Sequence, residues 1–178
     1  IQGLWAKKDG KIIKNEIRPL EQDLDSYPLP DRTQYLQYPI LRNFPLKRFI
    51  SGYGCPYLCS FCHNPIFLKD IYKGKGKYLR KKSVDRFLLE IKEVMKISTM
   101  KRIHLHDDNF NFHKSWLKEF CERYPKEIGI PWSCTVTVNL LDEATVKMMA
   151  DAGCVGVTYG LETHNEHIRR HILKKTAL

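Results

Sequence analysis

From Lys47 onward the hydrophobic positions switch back and forth between a strand-like and a helix-like period. "KRFIS" is a short apolar run that ends at a cysteine-rich loop, as a strand does. "SVDRFLLEIKEVMKI" sets Val84, Phe87, Leu88, Ile91 and Met95 along one helical face, with Ser83 placed to cap it. "KRIHLHDDNF" alternates at Ile103 and Leu105, then turns polar. "KSWLKEFCERY" has the helical stripe Leu117, Phe120, Cys121 and Tyr124. "WSCTVTVN" is a β-branched strand, "DEATVKMMADAG" a helix closed by Gly153, "CVGVTYG" a further strand, and "NEHIRRHIL" the start of a last helix. Residues 1–46 lack this rhythm. Their stretch "EQDLDSYPLPDRTQYLQYPI" is rich in proline, aspartate and tyrosine, and predicts an extended linker lying on the domain surface.

Strand followed by helix, four times over, predicts an α/β fold with a parallel sheet and right-handed crossovers. Two architectures meet that description, a doubly wound sheet and part of a (β/α) barrel. In both, chemistry gathers at the carboxyl ends of the strands. The segments at those ends are "GCPYLCSFCHN", "HDDNF", "NLLD" and "GLETHN". Each brings polar or metal-binding side chains to one rim.

Composition narrows the setting. At 178 residues the chain has the length of one domain, with enough apolar residues for a core. No apolar run approaches the roughly 20 residues that span a bilayer. The opening "IQGLWAKKDGKIIKNEIRPL" lacks the pattern of a signal peptide. With no initiator methionine and no closing strand before "ILKKTAL", the chain reads as a piece of a longer protein. The formal charge is +10, much of it in "KGKGKYLRKK", where Tyr72 and Tyr78 stand near the lysines. Such a run suits a solvated loop better than a nucleic-acid surface, though it allows both. Six irregularly spaced cysteines suit metal binding in a reducing, cytoplasmic compartment better than a disulfide framework.

Cys55, Cys59 and Cys62 crowd into eight residues. A structural zinc ion would need a fourth ligand, from His63 or a distant cysteine. "CSFCH" matches the attachment pattern of c-type haem, but leaves Cys55 without a role. A cubane iron–sulfur cluster takes thiolates, and three of them leave one iron open for a non-protein ligand. Cys-x3-Cys-x2-Cys with an aromatic before the last cysteine resembles the signature of the radical S-adenosylmethionine (radical SAM) enzymes. The resemblance implies that Cys55, Cys59 and Cys62 hold a [4Fe-4S] cluster and that SAM chelates the open iron. It further implies that Phe61 lies beside the adenine and that SAM is cleaved to a 5′-deoxyadenosyl radical. The implied fold is a partial (β/α) barrel, truncated here after about four βα units, with the radical SAM core at 47–178.

"LDSYPLPDR", "DDNF" and "GLET" resemble the branch of that family that carries a cobalamin-binding domain. Residues 1–46 then read as the linker from, or end of, that upstream domain. Cobalamin is expected on the full-length protein and not on this stretch. Tyr53 stands where the family often has an arginine, and Asn139 is the nearest polar residue to a second missing arginine. By the same resemblance Asp107 or Asp108 faces the SAM ammonium, Asn139 is a further SAM contact, and Glu162 takes the ribose hydroxyls. Each also has a plain structural reading as a cap, a turn residue or a surface ion pair. His104 and His106 lie on one strand face and read first as satisfied core histidines. Cys121, Cys134 and Cys154 read as inert thiols. A small-molecule substrate and an external electron donor, flavodoxin or ferredoxin, are implied. The rival readings are a nucleic-acid-modifying radical enzyme and a non-catalytic zinc or haem module.

Overall fold

The computed structural model describes residues 1–175. It begins with an exposed antiparallel hairpin, β1 (Trp5–Lys8) and β2 (Lys11–Lys14). Asp9 and Gly10 make its two-residue turn with φ of 49° and 75°, the left-handed pair that an Asp-Gly hairpin adopts. The hairpin precedes the proline-rich stretch expected to be extended, and "KKDGKIIK" carries its signal. Two short helices follow, α1 (Thr33–Leu36) and α2 (Pro39–Asn43). This segment packs on the domain as expected: Leu24 and Leu36 are buried, Asp25 accepts from the Ser83 amide, and Arg32 donates to the Arg48 carbonyl.

The elements that follow are, in chain order, β3 (Leu46–Phe49), the two-residue β4 (Gly52–Tyr53), α3 (Asn64–Ile66) and β5 (Arg80–Lys81). Then come α4 (Val84–Ile97), β6 (Arg102–Leu105), α5 (Lys114–Glu127), β7 (Trp132–Thr135), α6 (Glu143–Asp151) and β8 (Cys154–Thr158). β3, β6, β7 and β8 form one sheet in that order, every pair parallel. Strand order therefore follows chain order, with no switch of direction along the sheet. The expected last helix is present, as a wide π-type helical turn at Ile168–Ile172, where Leu173 donates five residues back to Ile168 and Asn165 caps the start.

Alternation along the strands separates two faces. Lys47, Phe49, Ile103, Leu105, Trp132 and Cys134 are buried on the face that packs with α4, α5 and α6. An aromatic nest of Phe87, Phe110, Phe120, Tyr124 and Trp132 fills the centre of this layer. On α4 Ser83 caps as predicted, accepting from the Arg86 amide. Val94, however, takes the inner position expected of Met95, which is exposed. The buried stripe leans towards Glu90 because that carboxylate is itself buried, between Arg32 and Lys82. The face opposite the helices carries Arg48, His104, Ser133 and Thr135 and is only partly covered.

Candidate active-site cleft

Two residues past the end of β3, Ser51 is buried and tied to β6's exit: its amide donates to Asp107 at 2.7 Å, and its hydroxyl to the same carboxylate. Lys81 of β5 also reaches Asp107, at 3.4 Å, so the short β4–β5 ribbon and the sheet are joined through one buried carboxylate. Gly54 then turns the chain into the cysteine loop with φ of 94°. A Cβ at Gly54 would lie 2.7 Å from the Tyr78 carbonyl oxygen, so both its angle and its space require glycine. The loop is braced from its far side by Ser60, which donates to the carbonyls of Leu173 and Ile172. Thus the wide turn at 168–172 serves as a buttress.

Cys55, Cys59 and Cys62 are all unpaired, half-buried, and line one cleft of about 200 Å³. Phe61, Asp108 and Glu162 share that cleft. Asp108 accepts from the Gly54 amide at 3.1 Å. Glu162 stands in a left-handed backbone conformation, φ 65°, and its carboxylate meets Lys175 at 3.3 Å. Strain of this kind in a residue with a Cβ costs on the order of 1–3 kcal/mol and persists where surroundings impose it. Asp107 lies outside the cleft, its carboxylate taken up by Ser51 and Lys81. Asn139 is exposed, touching the cleft only through Tyr57, whose hydroxyl is 3.5 Å from Asn139 Oδ1.

Four lining or bracing residues escaped the sequence reading. Asn109 points its Nδ2 at Cys55 Sγ (3.8 Å) and accepts from Thr137. Asn111 pairs twice with the Thr137 backbone, which draws the chain off the sheet after Thr135 and cuts short the strand expected to run to Asn139. Lys175 reaches into the cleft from the C-terminal side. Asn64, buried beside Cys62, directs its amide and Nδ2 at that sulfur. The run "HDDNFNF" held the first two in plain view, since a polar cluster at a strand's end marks a rim. A larger hollow of about 640 Å³ lies between the N-terminal segment and Phe67–Tyr72, and none of the predicted site residues lines it.

Burial pushes the thiols of Cys55 and Cys59 up, and Lys175 acts the other way on Cys59. Tyr78, which donates to Asn64, is raised to about 12 by burial first and then by Asp108 and the thiols. A bound cation reverses this logic, because metal coordination deprotonates a thiol outright. Among the described residues, no three His, Cys, Asp or Glu side chains converge as on a single ion. In a cubane each thiolate takes a different iron. Three thiols ranged round a cavity, with N–H groups of Asn64 and Asn109 turned to the sulfurs, fit that donor pattern.

Residues 49–177 match the profile of the Radical SAM superfamily. The chain belongs to this family. Over 98% of its length it is 29% identical to an uncharacterized methyltransferase of Pyrococcus horikoshii, covering 37% of that relative. It is 25% identical, over 96% of its length, to the cytidylyl-2-hydroxyethylphosphonate methyltransferase of Streptomyces wedmorensis, covering 36% of it. Against the anaerobic magnesium-protoporphyrin IX monomethyl ester cyclase of Rubrivivax gelatinosus, identity is 28% over 89% of the chain and 28% of the relative. This radical SAM chain thus spans roughly a third of the length of these relatives. Among its described residues no helix is long and apolar enough to cross a membrane.

Proposed function

We propose that Cys55, Cys59 and Cys62 hold a [4Fe-4S] cluster whose open iron faces a SAM molecule in the 200 Å³ cleft. The observation that carries this reading is the meeting, in one cleft, of three unpaired thiols with Phe61, Asp108 and Glu162 from three separate rim segments. The chemistry such a cluster supplies is one-electron reduction of SAM to methionine and a 5′-deoxyadenosyl radical. Asp108 is the carboxylate of the Asp107–Asp108 pair that the cleft presents to the SAM ammonium, where opposite charge strengthens a hydrogen bond. Asp107 holds the cysteine loop to the sheet. Glu162 accepts from the ribose hydroxyls, Phe61 flanks the adenine, and Asn139 closes the cleft through Tyr57. Asn64 and Asn109 favour the thiolate state by donating to sulfur.

Four strands in chain order are the start of a partial (β/α) barrel, and residues 1–46 are the linker from an upstream cobalamin-binding domain. The names of the relatives favour methyl transfer or oxidative ring closure on a small molecule, with an external flavodoxin or ferredoxin as electron donor and a cytoplasmic setting. The basic run gives little support to a nucleic-acid substrate: Arg80 donates to the Glu21 carbonyl, while Lys81 and Lys82 are bound to Asp107 and Glu90. Anaerobic reconstitution of the full-length protein tests the cluster. About four irons and four sulfides per chain are expected, lost on replacing Cys55, Cys59 or Cys62 by Ala and kept on replacing Cys121. Stoichiometric zinc in protein purified without exposure to air would oppose it.

A further inference from the structure

The sheet face turned away from the helices has an uneven charge. Register places Arg48 of β3 opposite His104 of β6, and His104 opposite Ser133 of β7. By alternation Arg102 and His106 share this face, as do Thr135 and, on β8, Gly156 and Thr158. Within the four strands themselves no Asp or Glu stands on it, and Asp108, two residues beyond His106, lies at the cleft end. Elsewhere the surface cations are commonly paired, as along α4 and α5, whereas neither Arg48 nor Arg102 has a carboxylate within ion-pair reach among the described residues. The rings of His104 and His106 are 5.4 Å apart, and His104 Nδ1 lies 2.9 Å from Ser133 Oγ, which leaves Nε2 for a ligand. His104 is held below its ordinary value by burial first, then by the neighbouring His106 and Arg48.

Two of these side chains, Arg48 and His106, also border a hollow. About 350 Å³ of space at the edge of β3 is lined by Arg32, Arg48, Lys82 and His106, with Glu90 as the acidic member. Glu90 is already engaged by Arg32 and Lys82, and Arg32 Nε is a buried donor without an acceptor. At its other end the face runs to the cysteine cleft, since Thr135 lines that cleft two residues beyond Ser133.

We propose that Arg48, His104 and His106 anchor an anionic group, carboxylate or phosphoryl, of the substrate, so that its remainder extends towards the cysteine cleft. The assignment rests on the radical SAM reading of that cleft and adds a substrate class to it. A guanidinium flanked by imidazoles offers planar, charge-assisted donors suited to either anion.

The test is calorimetric titration of inorganic phosphate, and separately of acetate, into the full-length protein after anaerobic loading with iron and sulfide. At least one anion should bind saturably in the millimolar range, and tetramethylammonium should not. Arg48→Gln should weaken that binding by about ten-fold, the loss of one hydrogen bond to a charged group. Arg48→Lys should restore part of it, and His104→Gln should weaken it too. Arg48 is exposed, so its replacement leaves the fold intact, while His104 is half-buried and its variant is compared by thermal midpoint before titration. Absence of saturable binding by both anions, or binding unchanged in both Arg48→Gln and His104→Gln, would overturn the anchor. Iron and sulfide content of the same samples keeps the two ideas apart. A protein that loads no cluster contradicts the functional reading, while its phosphate and acetate titrations still judge the anchor.

Discussion

Asp107 and Asp108 are neighbours with opposite employment. Successive side chains of an extended segment point to opposite sides, so one carboxylate turns inward to Ser51 and Lys81 while the next turns to Gly54 and the cleft. Lys81 is itself buried, and burial lowers its pKa against the pull of Asp107. Asp107→Asn therefore removes one member of a buried pair, a change that typically costs about 3–5 kcal/mol, and hydrogen exchange at β4 and β5 should rise sharply. Asp108→Asn should leave the cluster's absorption spectrum intact and weaken SAM by about 1.5–3 kcal/mol, the value of a hydrogen bond to a charged group. Equilibrium binding of SAM to each variant separates the two roles. The dipeptide alone announced a rim, but not which aspartate faced it, because that depends on the exact residue at which β6 leaves the sheet. Cys55, Cys59 and Cys62 stand out in the sequence as candidate metal ligands because they crowd into eight residues, and the fold brings all three to one cleft. Cys121 sits in the core and burial raises its thiol to about 12, as an inert cysteine requires.

At the scale of elements, α4 and α5 are joined by an apolar seam inside and an ion network outside. Phe87 of α4 and Phe120 of α5 are both fully buried and meet at 6.0 Å between ring centres. Phe120→Ala should cost about 3–5 kcal/mol, read as a lowered midpoint in denaturant. Outside, Glu127 of α5 meets Lys92 of α4 and Arg123 of its own helix. Its pKa is lowered from an ordinary 4.5, by the hydrogen bond to Lys92 first and then by Arg123. A lowered carboxylate stabilises the fold above its ordinary value and loses that contribution as pH falls through the lowered one. Glu127→Gln should thus cost less than about 1 kcal/mol at pH 7, as solvent-screened pairs do, and nothing once the acid is protonated. Hydrogen exchange across both helices, measured at neutral and acid pH, shows the difference. Helix stripes and strand alternation were readable because they repeat. Val94 in place of Met95 was not, because the burial of Glu90 depends on Arg32, far away in sequence, and a stripe shows only the residues of its own helix. The opening hairpin was readable from Asp9-Gly10 and was masked by the proline-rich stretch that follows it.

For the whole molecule, the four parallel strands bring the cysteine loop, the Asp108 turn and Glu162 to one rim, as their order in the sequence predicted. The positions of Lys175 and the turn at 168–172 were beyond that order, since both are fixed by contacts with Ser60 and Glu162 across the cleft. Cobalamin should bind the full-length protein and leave residues 1–178 without it; stoichiometric cobalamin retained by this stretch alone would misplace its site. The central claim is that the three thiols present a cluster to SAM. The most direct test is the amount of 5′-deoxyadenosine formed by full-length protein, anaerobically loaded and reduced with dithionite in the presence of SAM. The account predicts 5′-deoxyadenosine, dependent on each of Cys55, Cys59 and Cys62. A fully loaded cluster that yields none would contradict it and make the protein an electron carrier.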